Sequence, residues 1–327
     1  MKSFSYRRRL LCASALAVLA HAVPAWSQAY PARSITLVVP FTAGGITDAS
    51  ARLVARKLGE DLKQPVIVDN RAGAGGSVGA KHVASAPPDG YTLLLGTLAT
   101  QVVNAAVYRE ALPYDPLRDF TAVHGVMAVP IVLVSRPDRY KTFQAFLDAA
   151  RAKPGAVSYG SPGVGTAAHL SAELLQQESK TTFLHVPYKG SAPVITDLLG
   201  ANLDIAFDYA SSTASHIQSG KLVGLAVTGP TRLPSLPSVP TLRELGHPDA
   251  EVTSWIGIFA PATTPAPVVE RLRAGMDRVM RDPEVVEGVQ KLGGQPLTMA
   301  TSRLASFVQE EFGRWKPIVQ KAGIKPN

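Results

Sequence analysis

Two stretches of this chain repeat one design, and that design restricts the fold more than any other feature: an apolar strand runs into a glycine-rich loop that opens a helix. The first is residues 35–41, ITLVVPF, followed by TAGGITD at 42–48; the second is residues 156–160, AVSYG, followed by SPGVGT at 161–166. Glycine lets backbone N–H groups come close to a ligand, and the following helix points the positive end of its dipole at the same spot. Each loop is therefore a candidate anion cradle. Because more than a hundred residues separate them, the two cradles are expected to face one another across a cleft between two lobes. That arrangement suits capture of a small carboxylate.

Between and around these units the pattern alternates strand and helix. Apolar runs at 66–69, 91–95, 131–135, 182–186, 205–208, 222–227 and 254–259 read as further strands, and periodic segments at 47–62, 142–152, 167–178, 192–199 and 267–281 read as helices. The class is α/β, with an open, mostly parallel sheet expected in each lobe. The length suits two domains better than one. Val129-Pro130 leads into a new strand, and the proline-rich stretch at 229–240 leads out of a run of strand–helix units. Residues 129–230 are therefore expected to form one lobe, and 30–128 together with 231–327 the other, which is discontinuous. Two crossing segments of this kind make a hinge.

Residues 1–29 read as a secretory signal peptide, with a basic start, an apolar centre at 10–20 and small residues at Ala25, Ser27 and Ala29. Lys2, Arg7, Arg8 and Arg9 carry half of the formal net charge of +8; without them Lys+Arg falls from 33 to 29 against 25 Asp+Glu. The remaining charge is interspersed, so nucleic acid is not an expected partner. A mild positive field suits an anionic solute. Cys12, the one cysteine, precedes the apolar centre, so neither a lipid anchor nor a disulfide is expected in the mature chain. The uncharged windows 91–108 and 252–269 are broken by polar residues and prolines and do not read as membrane spans. The mature chain is expected to be periplasmic, soluble and monomeric.

Many short motifs, in order along nearly the whole mature chain, carry a resemblance. Pro40-Phe41, Gly44-Gly45, Asp48 and Ala51-Arg52 are followed by Gln64-Pro65-Val66, residues 70–76 (NRAGAGG) and 88–93 (PDGYTL); then come 113–116 (PYDP), Asp119-Phe120, His169-Leu170, 186–190 (VPYKG), Leu236-Pro237, 239–241 (VPT) and Trp255. Together they resemble the extracytoplasmic solute receptors of tripartite tricarboxylate transporters, the Bordetella uptake gene family. The resemblance implies a two-lobed periplasmic-binding-protein fold of the type II, venus-flytrap kind, which hands small organic acids or amino-acid-like molecules to membrane transporter subunits. It implies no cofactor and no enzymatic activity. It also places the ligand grip on Phe41, Thr42, Ala43, Gly44, Gly45 and Asp48 from one lobe and on Ser161, Gly163, Gly165 and Thr166 from the other. In the first loop Thr42-Ala43 stand where the family typically has two prolines, which frees a backbone N–H and adds a hydroxyl.

Several residues have a plainer reading beside the functional one. Asp48 either biases the pocket toward ligands with an ammonium group or merely complements its helix and pairs with Arg52 four residues on. Asp208 ends an apolar strand and either touches ligand or caps the helix near Ser211. His169 suits a packed or capping role, and Trp255 either the core or a cleft wall. Gly75-Gly-Ser77-Val-Gly79 matches the pattern of a hydrolase nucleophile elbow, with His216 and His247 downstream; a secreted serine hydrolase using Ser77 is the alternative function. Ser77 lies nine positions after Val68, however, whereas an elbow serine directly follows its strand. The mature histidines include no pair within five residues, so no metal site is expected.

Overall fold

The computed structural model describes residues 30–297, 299 and 303–324. The expected signal peptide, residues 1–29, lies outside the described residues. From Arg33 onward the chain is built on two sheets.

The chain begins with β1 (Ile35–Val39), α1 (Ile46–Leu62), β2 (Val66–Asn70), α2 (Ser77–Ala84) and β3 (Thr92–Thr97). A π-helical turn, Ala99–Val103, continues into α3 (Asn104–Tyr108), and the long strand β4 (Phe120–Pro130) follows. Next come β5 (Val132–Ser135), α4 (Phe143–Ala152), β6 (Val157–Ser161), α5 (Ala167–Ser179), β7 (Phe183–Pro187), α6 (Ser191–Leu199), β8 (Ile205–Asp208), α7 (Ala210–Gln218) and β9 (Val223–Val227). The chain closes with β10 (Thr253–Pro261), α8 (Ala266–Val279), α9 (Pro283–Lys291), β11 (Gln295–Pro296) and α10 (Leu304–Ala322).

Local chemistry explains these elements. β1 (ITLVV) is buried at every position but Thr36, and α1 and α2 pack against it. In α1, Ile46, Ala51, Val54, Leu58 and Leu62 recur at helical spacing and are buried; the helix stops at Lys63, whose left-handed backbone returns an N–H to Gly59 O. Thr142 caps α4 by accepting from Ala145 N–H, and Asp282 caps α9 by accepting from Glu284 N–H, with Pro283 in the first helical position.

The first lobe is a six-stranded sheet of order β11-β4-β10-β3-β1-β2, and the second a five-stranded sheet of order β7-β6-β8-β5-β9. The two-lobed α/β expectation holds, but the sheets are mixed rather than mostly parallel. β1 runs parallel to β2 and β3, and β6 to β7 and β8. The other five pairings, β10 with β3 and β4, β11 with β4, and β5 with β8 and β9, are antiparallel. A strand is forced parallel to its neighbour when a helix returns the chain to the same edge. β4 passes instead straight into β5 of the other sheet, so that rule does not govern its direction. β4 is not among the strands expected from the sequence. It is kinked, with register shifts against β10 on either side of the Gly257–Ile258 pair.

Only Ile131 separates the two sheets on the outward path, and the return path runs from Val227 to Thr253. Thr228 fastens both. It exchanges backbone bonds with Ile131 O and Val252 N–H, while its hydroxyl accepts from Ile131 N–H (2.9 Å) and donates to Val252 O (2.6 Å). Trp255 is a core residue of the first lobe, edge-on to Phe307 at 5.4 Å between ring centres. Its Nε1–H and that of Trp315 both donate to Glu311 Oε2.

Candidate functional site

The first glycine loop joins β1 to α1. Asn70 Nδ2 donates to Phe41 O and holds its entry. Asp48, one turn into the helix, folds back: Oδ2 accepts from Gly44 N–H and from Arg52 Nε (both 3.0 Å), and Oδ1 lies 2.9 Å from the second Arg52 nitrogen. Burial raises the acid's pKa, but Arg52, Gly44 N–H and Asn70 outweigh it and the net shift is downward. Asp48 is thus an ionised brace for the loop, consistent with the plainer of its two readings.

The second loop joins β6 to α5 and is also tied internally. Gly163 N–H donates to Ser161 Oγ (3.3 Å) and Gly165 N–H to His169 Nδ1 (3.1 Å). Thr166 caps α5 by accepting from His169 N–H, and its hydroxyl donates to Gly163 O (2.7 Å). Ser161 Oγ is 2.7 Å from His185 Nε2, and the rings of His185 and His169 stack at 4.1 Å. Burial, and then the neighbouring His169, push His185 down to about 3, so that ring stays neutral in this wall. His169 has the capping role that its position suggested.

Between the loops lies a cavity lined by both lobes. Phe41, Thr42, Gly45, Ile46, Thr47, Thr97, Ala99 and Ser254 come from the first lobe, and Pro162, Thr166, Ala167, Gly190, Ser191 and Tyr209 from the second. Of the expected ligand residues, Phe41, Thr42, Gly45 and Thr166 line it. Ala43, Gly44, Asp48, Ser161, Gly163, Gly165 and Asp208 do not; they stand behind the wall or shape its loops. Four helix N-termini meet here: α1 at Gly45–Thr47, α5 at Thr166–Ala167, α6 at Gly190–Ser191 and α7 at Tyr209. The N-termini of α1, α6 and α7 have no side-chain cap, so their first N–H groups are left for another acceptor. No lining side chain is charged. Attraction for an anion therefore comes from aligned N–H dipoles and hydroxyls.

Contacts between the lobes narrow this cleft. Thr42 N–H donates across the cleft to Lys189 O (3.3 Å). The Thr42 hydroxyl sits over Gly190, where a Cβ would lie 2.1 Å from it. A Cβ on Gly75 would lie 2.2 Å from Val164 O, and one on Gly165 2.7 Å from Asn104 Oδ1. Thr42→Pro removes the cross-cleft N–H, and one such bond contributes about 1 kcal/mol. Calorimetric titration is expected to show roughly fivefold weaker ligand binding in this variant, with Thr42→Ser, which keeps the N–H, near wild type.

Sequence reasoning did not single out the third cradle, the β7–α6 turn with Gly190 and Ser191. Its strand–Pro-Tyr-Lys-Gly–helix design was legible, since residues 186–190 were already part of the quoted motifs. Thr97, Ala99, Tyr209 and Ser254 carried no local signal. Ser77 is buried at the start of α2, and its Oγ accepts from Asn104 Nδ2 (3.0 Å). Among the described residues no histidine bonds it, and no group of three or more His, Cys, Asp or Glu side chains could hold a metal.

Two mixed α/β lobes, joined by a fastened double crossover and closing on a cavity of convergent helix N-termini, define a solute-binding receptor of the periplasmic-binding-protein class. Residues 50–324 match the model for the tripartite tricarboxylate transporter family receptor, and the chain belongs to that family. It is 40% identical over 324 residues to the UPF0065 protein in the tcbD-tcbE intergenic region of Pseudomonas sp. strain P51, covering 98% of this chain and 96% of that protein. Three solved structures are similar over their whole length. The periplasmic binding protein BugD is 34% identical with a TM-score of 0.86, covering 90% of this chain and 99% of that one. Rpa4515 of R. palustris, solved with adipate, is 35% identical with a TM-score of 0.86, covering 91% and 100%. MatC of Rhodopseudomonas palustris, with bound malate, is 33% identical with a TM-score of 0.84, covering 89% and 100%. The family is one of receptors and BugD is a periplasmic binding protein, and nothing in them favours a hydrolase at Ser77. Among the described residues no helix is long and apolar enough to cross a membrane.

Proposed function

We propose that this chain captures a small dicarboxylate in the cavity between its lobes and delivers it, as a monomer in the periplasm after loss of residues 1–29, to the membrane subunits of a tripartite transporter. The observation that carries this reading is the meeting of four helix N-termini at a cavity without a charged side chain. Each N-terminus acts as roughly half a positive charge, so an anion gains there while a cation does not. Adipate in one neighbour and malate in another support the ligand class. In this reading residues 129–230 form the second lobe and the flanking segments the first, with Phe41, Thr42, Gly45 and Thr166 touching the ligand and the remaining loop residues positioning them. Ligand enters an open cleft and shuts it about the Thr228 crossover.

The test is a thermal-shift screen of the mature protein against di- and hydroxycarboxylates and amino acids. At a hundredfold excess over its dissociation constant, a ligand confined to the native state adds about 2.7 kcal/mol, a rise of several degrees for a chain of this size. The stabilising ligand is also expected to reduce the radius of gyration in small-angle scattering. Stabilisation by amino acids alone would overturn the dicarboxylate assignment, and stabilisation with an unchanged scattering profile would overturn closure.

A further inference from the structure

Behind the second lobe's face of the cavity lies a carboxyl group with no cation beside it. Asp208, the last residue of β8, is fully buried. Its Oδ1 accepts two short hydrogen bonds, from Ser191 Oγ and from Tyr209 N–H, both 2.7 Å, and its Oδ2 is buried without a partner. Ser191 and Tyr209 both line the cavity. A single hydroxyl therefore separates this carboxyl from whatever occupies the cleft.

What faces Asp208 cannot neutralise it. β5 places Val132 opposite it in the sheet, α6 contributes the Ser191 hydroxyl, and its own turn contributes Tyr209. Of the other elements packed on β8, β6 carries Tyr159, which burial keeps uncharged, and α5 carries His169 and Glu173, which lie 3.5 Å from each other. Burial pushes the Tyr209 phenol up to about 12, so it is uncharged. No lysine, arginine or histidine among the described residues bonds or pairs with Asp208. Burial, only partly opposed by Ser191 and Tyr209 N–H, pushes its own carboxyl up to about 7. The nearby loop carboxylate, Asp48, behaves oppositely because Arg52 holds it ionised. An anion in the cavity and an ionised Asp208 would repel one another where little water screens them.

We propose that Asp208 is a specificity-determining residue that carries a proton whenever the cleft holds an anion, so that capture of a carboxylate takes up one proton from solvent onto the Asp208 carboxyl. The inference rests on the carboxylate reading of the cavity. Its sign follows from linkage. Below about pH 6 the empty receptor already holds this proton and capture takes up none. Above about pH 8 the empty receptor has lost it, so each ligand brings one proton in and affinity falls toward tenfold per pH unit. A ligand that places an ammonium group beside Ser191 would instead favour the ionised carboxylate. The residue thereby discriminates by charge at alkaline pH.

The experiment is calorimetric titration of the mature protein with malate and with adipate at pH 8, where ordinary histidines no longer titrate. It is run in HEPES and in Tris, whose ionisation enthalpies differ. Binding enthalpies that differ between the buffers by close to one proton's worth, with affinity falling from pH 7 to pH 8.5, are the expected result. Asp208→Asn keeps the acceptor for Ser191 and Tyr209 and imitates the protonated acid. It is expected to bind with no buffer difference and a flat pH profile. Equal enthalpies in the two buffers for wild type, or uptake that persists in a folded Asp208→Asn, would overturn the inference while leaving the carboxylate reading intact. Should the variant fail to melt cooperatively, the wild-type buffer pair decides alone. If no carboxylate binds, the functional reading fails and this inference falls with it.

Discussion

Gly75→Asn is expected to weaken ligand binding about a hundredfold while leaving the melting temperature of the ligand-free protein within a few degrees of wild type. Gly75 has φ of 58°, a left-handed conformation that asparagine tolerates, so the substitution adds little strain of its own. Its Cβ, however, would stand 2.2 Å from the Val164 carbonyl oxygen of the opposite lobe, and that oxygen belongs to backbone between β6 and α5 that cannot step aside as a side chain would. The clash exists only when the cleft is shut. If binding needs the shut form, the observed affinity falls by the fraction of molecules that can still adopt it. Titration with the stabilising carboxylate and scattering in its presence check this together: at a ligand concentration that shuts the wild type, the variant should keep the larger radius of gyration of the open form. Wild-type affinity in a cooperatively folded variant would mean that contact between these two loops is not needed for capture.

Trp255→Ala is expected to do the reverse, lowering stability and sparing affinity. Removing a large buried aromatic costs about 3–5 kcal/mol. Here the loss includes the packing on Phe307 and one of the two indole N–H groups that Glu311 accepts. At roughly 2–4 °C per kcal/mol for chains of a few hundred residues, the melting temperature should fall by about 10 °C. Trp255 does not line the cavity, so ligand affinity measured well below the melt should stay within a few-fold of wild type. A binding loss as large as that of Gly75→Asn would place the indole in the cleft after all.

These two outcomes divide along the line between what the sequence made legible and what it did not. β1 and β8 were readable to the residue, and α1, α5 and α6 nearly so, because an apolar stripe at period 3.6 or a short apolar run bounded by turn residues is a local signal. The direction of β5 against β8 is set by where the chain crosses between sheets, which no local pattern encodes. The first two cradle loops were visible as glycine-rich strand ends. Less legible was how their N–H groups are engaged: those of Gly163 and Gly165 turn toward Ser161 and His169. Such internal bonding depends on His169 lying one turn into α5 and reaching back, a tertiary fact with a faint sequence trace. Thr97 and Ser254 reach the cavity only because β3 and β10 are neighbours in the sheet.

The lobes contribute unequally to the cavity, and this has a mechanical consequence. Three of the four helix N-termini, those of α5, α6 and α7, belong to the second lobe, and only that of α1 to the first. If the cleft parts as proposed, a bound anion would keep most of its partners on one side. In the proposed capture the second lobe would then be the dish and the first the lid: solute would land on the dish, the lid would come down on it, and unloading would mean lifting the lid before emptying the dish. Because Thr228 fastens both crossings at one point, the proposed lid would have a single pivot to turn on. A transporter that grips both halves and turns them apart about that pivot would present the loaded face outward, with no need to reach inside.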